Sequence, residues 1–543
     1  MYHSQAKYKT QLQIAENYLN KNKLTEAKNI YLKILNTNHD NHHILEKIAD
    51  ICIQQQKYDE ACVYFSKLER LDQNNVFHLT NFAFSLDKIG QFNLALQVLD
   101  RAKEVNPNEI NIYLNETVTL CNLKRFEDAR NSALHALKIQ PYSAISFNNL
   151  GSVFQKLGDL DSAKIAFSAA VDIDPNYMDP RVNLAGLYGK YFQYENSKLE
   201  YEKILQDYPL LDKSTTKIIK VKMAYEYLRT GDLNKGWEYY ELALDKDIPF
   251  ENSRNPKRTF KKPKWSGEKL TNKTILVWGE QGLGDEIAFA TCIHDLLSTD
   301  AKVIIECDSR LVKSFSRSFP KAIVRISSFK NDHTLLATND DFDYHIPMGS
   351  LMSHFRKTIE DFSSSKPYLL VCKTQASIFE ERLLKIEKKK FRIGISWRSG
   401  LLHAERNINY TSILDWEQIF RLPNIEFVNL QYGECENELL LAEKKFDTQI
   451  IRWGDLDLKN DIDATFALIS RLDYVISIGN AVAVMAASVG VPTLLACQPE
   501  LWEQFGTNYY PLFPTVKLFP TEKNEIQAKS LDKISKFIFE ITN

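Results

Sequence analysis

The chain carries almost no net charge: 68 lysines and arginines stand against 70 aspartates and glutamates over 543 residues, a balance of -2. This removes any general pull toward nucleic acid or an anionic membrane, so a phosphate site has to be local. The eight cysteines, at 52, 62, 121, 292, 307, 372, 435 and 497, form no CxxC pair and no zinc spacing. A reducing compartment fits such scattered cysteines best. No stretch approaches ~18 consecutive apolar residues, and the N-terminal MYHSQAKYKTQLQIAENYLNK has no apolar core of signal-peptide length. The expectation is a cytoplasmic protein with no transmembrane segment and no nucleic-acid partner. At this length one core is too few, and domains of ~100–200 residues imply several.

What the chain does have is a repeat. Ala27, Ala61, Ala95, Ala129 and Ala163 fall 34 positions apart, and Ser197 continues the series. Twelve residues before each lies another small residue (Ala15, Ala49, Ala83, Thr117, Gly151, Ala185), and four after lies a large one, except at Ala133. Small residues let two antiparallel helices approach, and the large one fills the groove between repeats. Pro107, Pro141, Pro175 and Pro209 stand where second helices must stop. A seventh, shifted unit uses Ala224, Gly236, Tyr240 and Ala243. The first half resembles a tetratricopeptide array, whose concave face holds an extended peptide or another protein.

The stretch ENSRNPKRTFKKPKWSG, residues 251–267, breaks this pattern and reads as a solvated basic linker. Beyond it, short β-rich runs alternate with helical ones: TILVWG, KVIIEC and AIVRIS, with KPYLLV closing a first unit, then FRIGISW, IEFVNLQ, QIIRWG, LDYVISI and PTLLACQ in a second. Such alternation argues for parallel, doubly wound sheets with ligands at the carboxyl ends of their strands. The expected organisation is an α-helical solenoid of about seven repeats over 1–250 and the linker at 251–267. Two Rossmann-like α/β units follow, at 268–375 and 391–543, joined by a charged helix at 376–390.

ILVWGEQGLGDEIAFA, residues 275–290, runs from an apolar strand through a glycine-rich turn into a helix. A dinucleotide fingerprint is excluded because the third glycine position is Ile287, and no GKS or GKT makes a P-loop. Asp285 at the mouth of the helix would repel a phosphate. It is either a helix cap or a carboxylate serving chemistry in an acidic turn shaped by Gly282 and Gly284. Farther on, Gly479, Asn480 and Ala481 join a strand to an apolar helix, where backbone N–H groups can face a diphosphate. Arg398, directly after GISW, has the charge to neutralise that diphosphate, with His403 and Arg406 as weaker candidates.

GEQGLGDEIAF, GISWRSG, DATFALISRLDYVISIGNAVAVMAASVGVPTLL and YYPLFPTVKLF together resemble bacterial tetratricopeptide-linked GT-B glycosyltransferases. These are related to the lipopolysaccharide heptosyltransferases and, more distantly, to the O-linked N-acetylglucosamine transferases. The resemblance implies a nucleotide-sugar donor in the C-terminal unit, an acceptor presented by the N-terminal unit, inversion at the sugar, and no metal or other cofactor. It also implies that Asp285 takes the acceptor proton, and that Gly282 and Gly284 form the acceptor loop around it. The chain departs from the commoner S-V-D-T-A-V-A-H-L-A pattern by having Asn480 and Val484. Two functions therefore stand: a glycosyltransferase acting on a protein or glycan selected by the repeats, or an interaction scaffold whose transferase half is degenerate.

Three acidic triplets, at 341–343, 455–457 and 461–463, resemble a metal-binding DxD but suit ordinary loops and caps. Three histidines within 39–43 lack ligand spacing and read as a solvated turn, and Trp502 as packing at a cleft edge.

Overall fold

The structure is a computed structural model that describes residues 2–36, 41–249, 252–327, 341–386, 391–399, 410–522 and 528–542, with side chains from residue 8 onward. The chain divides into two compact units, residues 1–184 and 185–543.

The first unit is built from helical hairpins: Tyr2–Asn20 with Leu24–Leu35, His42–Gln54 with Tyr58–Leu71, Val76–Lys88 with Phe92–Val105, Ile110–Asn122 with Phe126–Ile139, and Ala144–Leu157 with Leu160–Ile173. The periodic alanines at 27, 61, 95, 129 and 163 are fully buried. Gly151 shows why these positions are small: a Cβ there would lie 2.7 Å from the Phe167 ring. The start signals share the period. Asn41, Asn75 and Ser143 each accept the N–H three residues on, at 3.2 Å, and Glu109 accepts that of Asn111.

In the second unit, the helices Tyr194–Asp207, Lys213–Arg229 and Leu233–Glu241 lead into two parallel sheets. The first contains β1 (Thr274–Trp278), β2 (Lys302–Cys307), β3 (Ile323–Ile326) and β4 (Tyr344–Pro347), in the order β3-β2-β1-β4. The second contains β5 (Phe391–Ser396), β6 (Ile425–Asn429), β7 (Ile450–Ile451), β8 (Tyr474–Ile478), β9 (Thr493–Cys497) and β10 (Val516–Pro520), in the order β10-β9-β8-β5-β6-β7. Strand order reverses at β1/β4 and at β5/β8, the places where doubly wound sheets open a crevice.

Two expectations are corrected. KPYLLV forms no described strand: the N–H groups of Tyr368 and Leu369 both donate to the carbonyl of Ser488, 3.0 Å away, at the end of the helix Ala481–Ser488. That carbonyl lies in the last turn and has no intrahelical partner, so the crossing segment satisfies it. The strand beside β1 is β4 instead.

Nor is the basic linker solvated. Arg254 is 1% exposed and pairs with Glu280 (Nε–Oε2 2.7 Å) and Glu241 (2.8 Å), and Arg258 reaches Glu306 at 2.6 Å. Phe260 stacks on His345 with centroids 4.0 Å apart, and Trp265 donates its backbone N–H to the His345 carbonyl at 2.9 Å. Its cations answer acids on the last repeat and the first sheet, so the segment is held against them. The seventh repeat is fixed as well. Trp237 Nε1 donates to the Arg356 carbonyl at 2.8 Å and its ring meets Phe505 at 5.7 Å.

Candidate functional site

The turn after β1 carries three acids with three different surroundings. Glu280 is buried against Arg254 and accepts the N–H of Gly349 at 2.9 Å. Glu286 is buried and accepts the N–H of Asp308 at 2.8 Å. A Cβ on Gly279 would come within 2.5 Å of the Glu286 carboxyl, so a larger residue there would push that carboxyl off the Asp308 N–H. Asp285, half-buried in the first turn of the helix Leu283–Phe289, accepts the N–H of Gly282 at 3.0 Å and so caps the helix.

Capping does not exhaust Asp285, because its charge is felt across a cluster of side chains brought from elsewhere. It helps raise Tyr225, pushed up to about 12 chiefly by burial, and Tyr510, pushed well above the ordinary tyrosine range for the same first reason. Most affected is Glu503. Burial, joined by the Asp285 charge and opposed by Arg229, pushes its carboxyl up to about 7. A carboxyl poised near neutrality close to a second carboxyl is the kind of pairing that separates acid from base roles. Trp502, next to Glu503, packs edge-on against Tyr225 at 5.7 Å, consistent with a cleft wall.

The glycine-rich turn meets the second sheet directly. A Cβ on Gly284 would stand 3.4 Å from Ala481 Cα, so the first turn of the helix Leu283–Phe289 lies against the first turn of Ala481–Ser488. The two first turns are therefore in van der Waals reach of each other.

At the β5/β8 crossover, Asn480 is the joint. Its Oδ1 accepts the Val482 N–H at 2.9 Å and the Ser477 hydroxyl at 3.0 Å, while its Nδ2 donates to Ser396 Oγ at 2.8 Å and to the Arg398 carbonyl at 3.2 Å. The side chain is spent on stitching two strands and capping the helix. The Asn480 N–H donates to the Ile478 carbonyl at 2.7 Å. Gly479, by contrast, is exposed and faces open space, with nothing within 4 Å of where a Cβ would be.

The Arg398 guanidinium turns the other way. Its Nε donates to Glu438 Oε1 at 3.0 Å and its terminal nitrogen to the Glu434 carbonyl at 2.7 Å, and Trp397 Nε1 donates to the same Glu438 at 2.6 Å. Arg398 and Glu438 hold each other charged: the arginine is raised, first through that hydrogen bond, and the carboxyl lowered against its burial. Glu438 also borders a cavity of about 690 Å³ at the ends of β6 and β7, lined by Gln431, Tyr432, Arg452, Trp453 and Asp457 among others. Its size lies in the usual range for small-molecule sites. His403 and Arg406 lie outside the described residues.

The acidic triplets are each committed elsewhere. Asp341 pairs with Arg325, Asp455 with Arg382 and Asp463 with Arg317, while Asp343, Asp457 and Asp461 accept backbone N–H groups.

Sequence reasoning missed Glu503, Tyr225, Tyr510 and Glu438. No motif or period marks them, because each becomes notable only through partners far away in the chain.

Among known proteins, tetratricopeptide repeats match residues 42–75 and 144–177. The chain is 27% identical to protein FlbA of Caulobacter vibrioides over 452 residues, covering 81% of this chain and 75% of that protein. An alignment this long cannot fit within the repeats alone. The likeness to a TPR repeat-containing protein of Methanocaldococcus jannaschii is 23% over 365 residues, 64% of this chain and 57% of that one. Among solved structures, a tetratricopeptide repeat protein of Parabacteroides merdae is 15% identical with a TM-score of 0.37, covering 43% of this chain and 91% of its own. YrrB, a TPR protein with an unusual peptide-binding site, is 24% identical with a TM-score of 0.27, covering 31% and 88%. The chain therefore carries tetratricopeptide repeats followed by a parallel α/β region, and no described helix is long and apolar enough to cross a membrane.

Proposed function

We propose that this chain is a metal-independent, inverting glycosyltransferase of the GT-B kind. It moves a sugar from a nucleotide-sugar donor to a protein or glycan chosen by the repeats. The observation that carries this reading is the meeting of Gly284 and Ala481, which brings an acidic turn at the end of β1 against a helix that opens at the β5/β8 crossover. One side offers carboxylates and the other a helix start without acids in its first turn. In the reaction the acceptor hydroxyl gives its proton to Asp285 as its oxygen bonds to the anomeric carbon. The bond from that carbon to the diphosphate breaks on the opposite face, and the nucleoside diphosphate leaves. Glu503 supplies a second carboxyl whose protonation changes near neutral pH.

A second reading has its own observation. With Arg398 held by Glu438 and Val484 in the helix that follows, the arginine offered to a diphosphate is already paired, which suits a scaffold that binds proteins through its repeats and no longer transfers sugar. A cytoplasmic location belongs to both readings, and all eight cysteines are free.

Incubating the full chain with a panel of nucleotide sugars and following nucleoside diphosphate release separates them. Release from one donor, lost in Asp285→Asn, supports transfer. No release from any donor, with or without cell extract as acceptor, replaces the enzyme by the scaffold.

A further inference from the structure

We propose that His42, Glu46 and His78 form a binding site for one zinc-class divalent cation inside the repeat array. His42 and Glu46 lie one turn apart on the helix His42–Gln54 and share a face, and His78 comes from the first helix of the next repeat, Val76–Lys88. The ligating atoms of the three all lie within 4.8 Å of one another, the one such grouping among the described residues. Glu46 Oε2 stands 3.5 Å from His78 Nε2, and the two imidazoles face each other with centroids 4.8 Å apart.

Two independent observations mark this as more than a chance cluster. First, His78 is 1% exposed, its Nδ1 is buried without a hydrogen-bond partner, and its buried Nε2 has only the long 3.5 Å contact to Glu46. A buried imidazole left in that state needs an explanation, and an ion supplies one. Second, all three residues break the repeat pattern at one place. The position of His78 is held in the neighbouring repeats by Ile44 and Ile112, both fully buried; that of His42 by Val76 and Ile110; and that of Glu46 by Thr80 and Leu114.

Two imidazoles and one carboxylate, with a solvent molecule completing a tetrahedron, are a ligand set that zinc accepts and that magnesium or calcium does not favour. Bringing the ligands from within 4.8 Å to the ~3.4 Å edges of such a tetrahedron asks for movement of His42 and Glu46, which are both half-buried rather than locked in the core. A bound ion joins two successive repeats, so it stabilises the array by mass action. Spacing within 39–43 did not signal the site because its buried ligand lies in the following repeat.

The test uses the full chain stripped with a chelator and titrated with zinc by calorimetry, and with cobalt by visible absorption. One equivalent binds with micromolar or tighter affinity, cobalt shows four-coordinate d–d bands, and the thermal midpoint rises with zinc. His42→Gln and Glu46→Gln each weaken binding at least tenfold. His78→Ile restores the repeat pattern, so it folds at least as well without metal and loses the zinc response. Absence of zinc binding by the wild type, or binding that persists unchanged in His42→Gln and His78→Ile, overturns the proposal.

Discussion

Gly284 faces Ala481 across the first turns of two helices: a Cβ on Gly284 would sit 3.4 Å from Ala481 Cα, in van der Waals contact, with no room for a longer side chain in that direction. The contact sets how closely the acidic turn after β1 approaches the crossover of the second sheet. Gly284→Leu cannot be absorbed by a flexible neighbour, since the obstacle is backbone. Overpacking of this kind costs ~1–3 kcal/mol, so the thermal midpoint falls and any transfer activity falls with it. Wild-type stability and turnover in the Gly284→Leu variant would show that the two turns are not held together.

Asp285 has two duties that one substitution separates. Asparagine at this position keeps an oxygen to accept the Gly282 N–H and loses only the charge. Asp285→Asn therefore unfolds at nearly the wild-type temperature while transfer drops by about two to four orders of magnitude, the usual weight of a general base. Asp285→Ala loses the cap as well and is less stable by ~0.5–2 kcal/mol. Near-normal turnover in the asparagine variant would reduce Asp285 to a cap.

The repeat array was legible in the sequence because its packing is local and periodic: Ala61 and Phe65 do in one repeat what Ala163 and Phe167 do in another. The strands were mostly legible from their apolar runs, and β4 and β10 were not, because DYHIP and VKLFP mix in polar residues and end in proline. The linker misled because charge was read without partners, and Arg254 finds Glu280 only in three dimensions. The same reason hid Glu503, whose surroundings come from residues near 225, 285 and 510.

Arg254 predicts the largest stability effect. It is 1% exposed between Glu280 and Glu241, so Arg254→Met leaves the buried Glu280 carboxylate without its cation, while the half-buried Glu241 keeps Lys264. Breaking a buried pair from one side costs ~3–5 kcal/mol. Arg254→Lys restores charge without the forked geometry and recovers part of that loss. Chemical denaturation of the three proteins checks the order, and equal stability for the Arg254→Met variant and wild type would contradict it.

Glu503 predicts a pH dependence. Its folded carboxyl titrates near 7, above the 4.5 of an ordinary glutamate, so it is neutral in both states at low pH and costs nothing there. As pH rises from about 4.5 the unfolded chain ionises first, and the stability associated with the neutral form is lost through pH 7. At ~1.36 kcal/mol per unit the loss amounts to about 3 kcal/mol. Glu503→Gln removes that dependence, so the variant gains on wild type above pH 7 and not below pH 4.5. Parallel stability curves for the two proteins across this window would sink the assignment.

The donor side turns on whether Arg398 can leave Glu438 for a diphosphate. In the structure the guanidinium is neutralised by that carboxylate, and Trp397 also donates to it. If a nucleoside diphosphate binds beside Gly479 and displaces the pair, Glu438 competes with the ligand. Arg398→Ala then weakens binding, since a charge-assisted contact of ~1.5–3 kcal/mol corresponds to about ten- to a hundredfold. Glu438→Gln does the reverse: it still accepts the Trp397 N–H through its amide oxygen but frees the arginine, and affinity rises. Asp285→Asn, on the acceptor side, changes nucleotide binding little. Calorimetric titration of uridine, guanosine, cytidine and adenosine diphosphates into these four proteins distinguishes the cases. Opposite shifts for Arg398→Ala and Glu438→Gln place the phosphate at the arginine. Unchanged affinity in both moves the site elsewhere on the sheet, and no binding by the wild type at millimolar nucleotide leaves the scaffold as the function of this half.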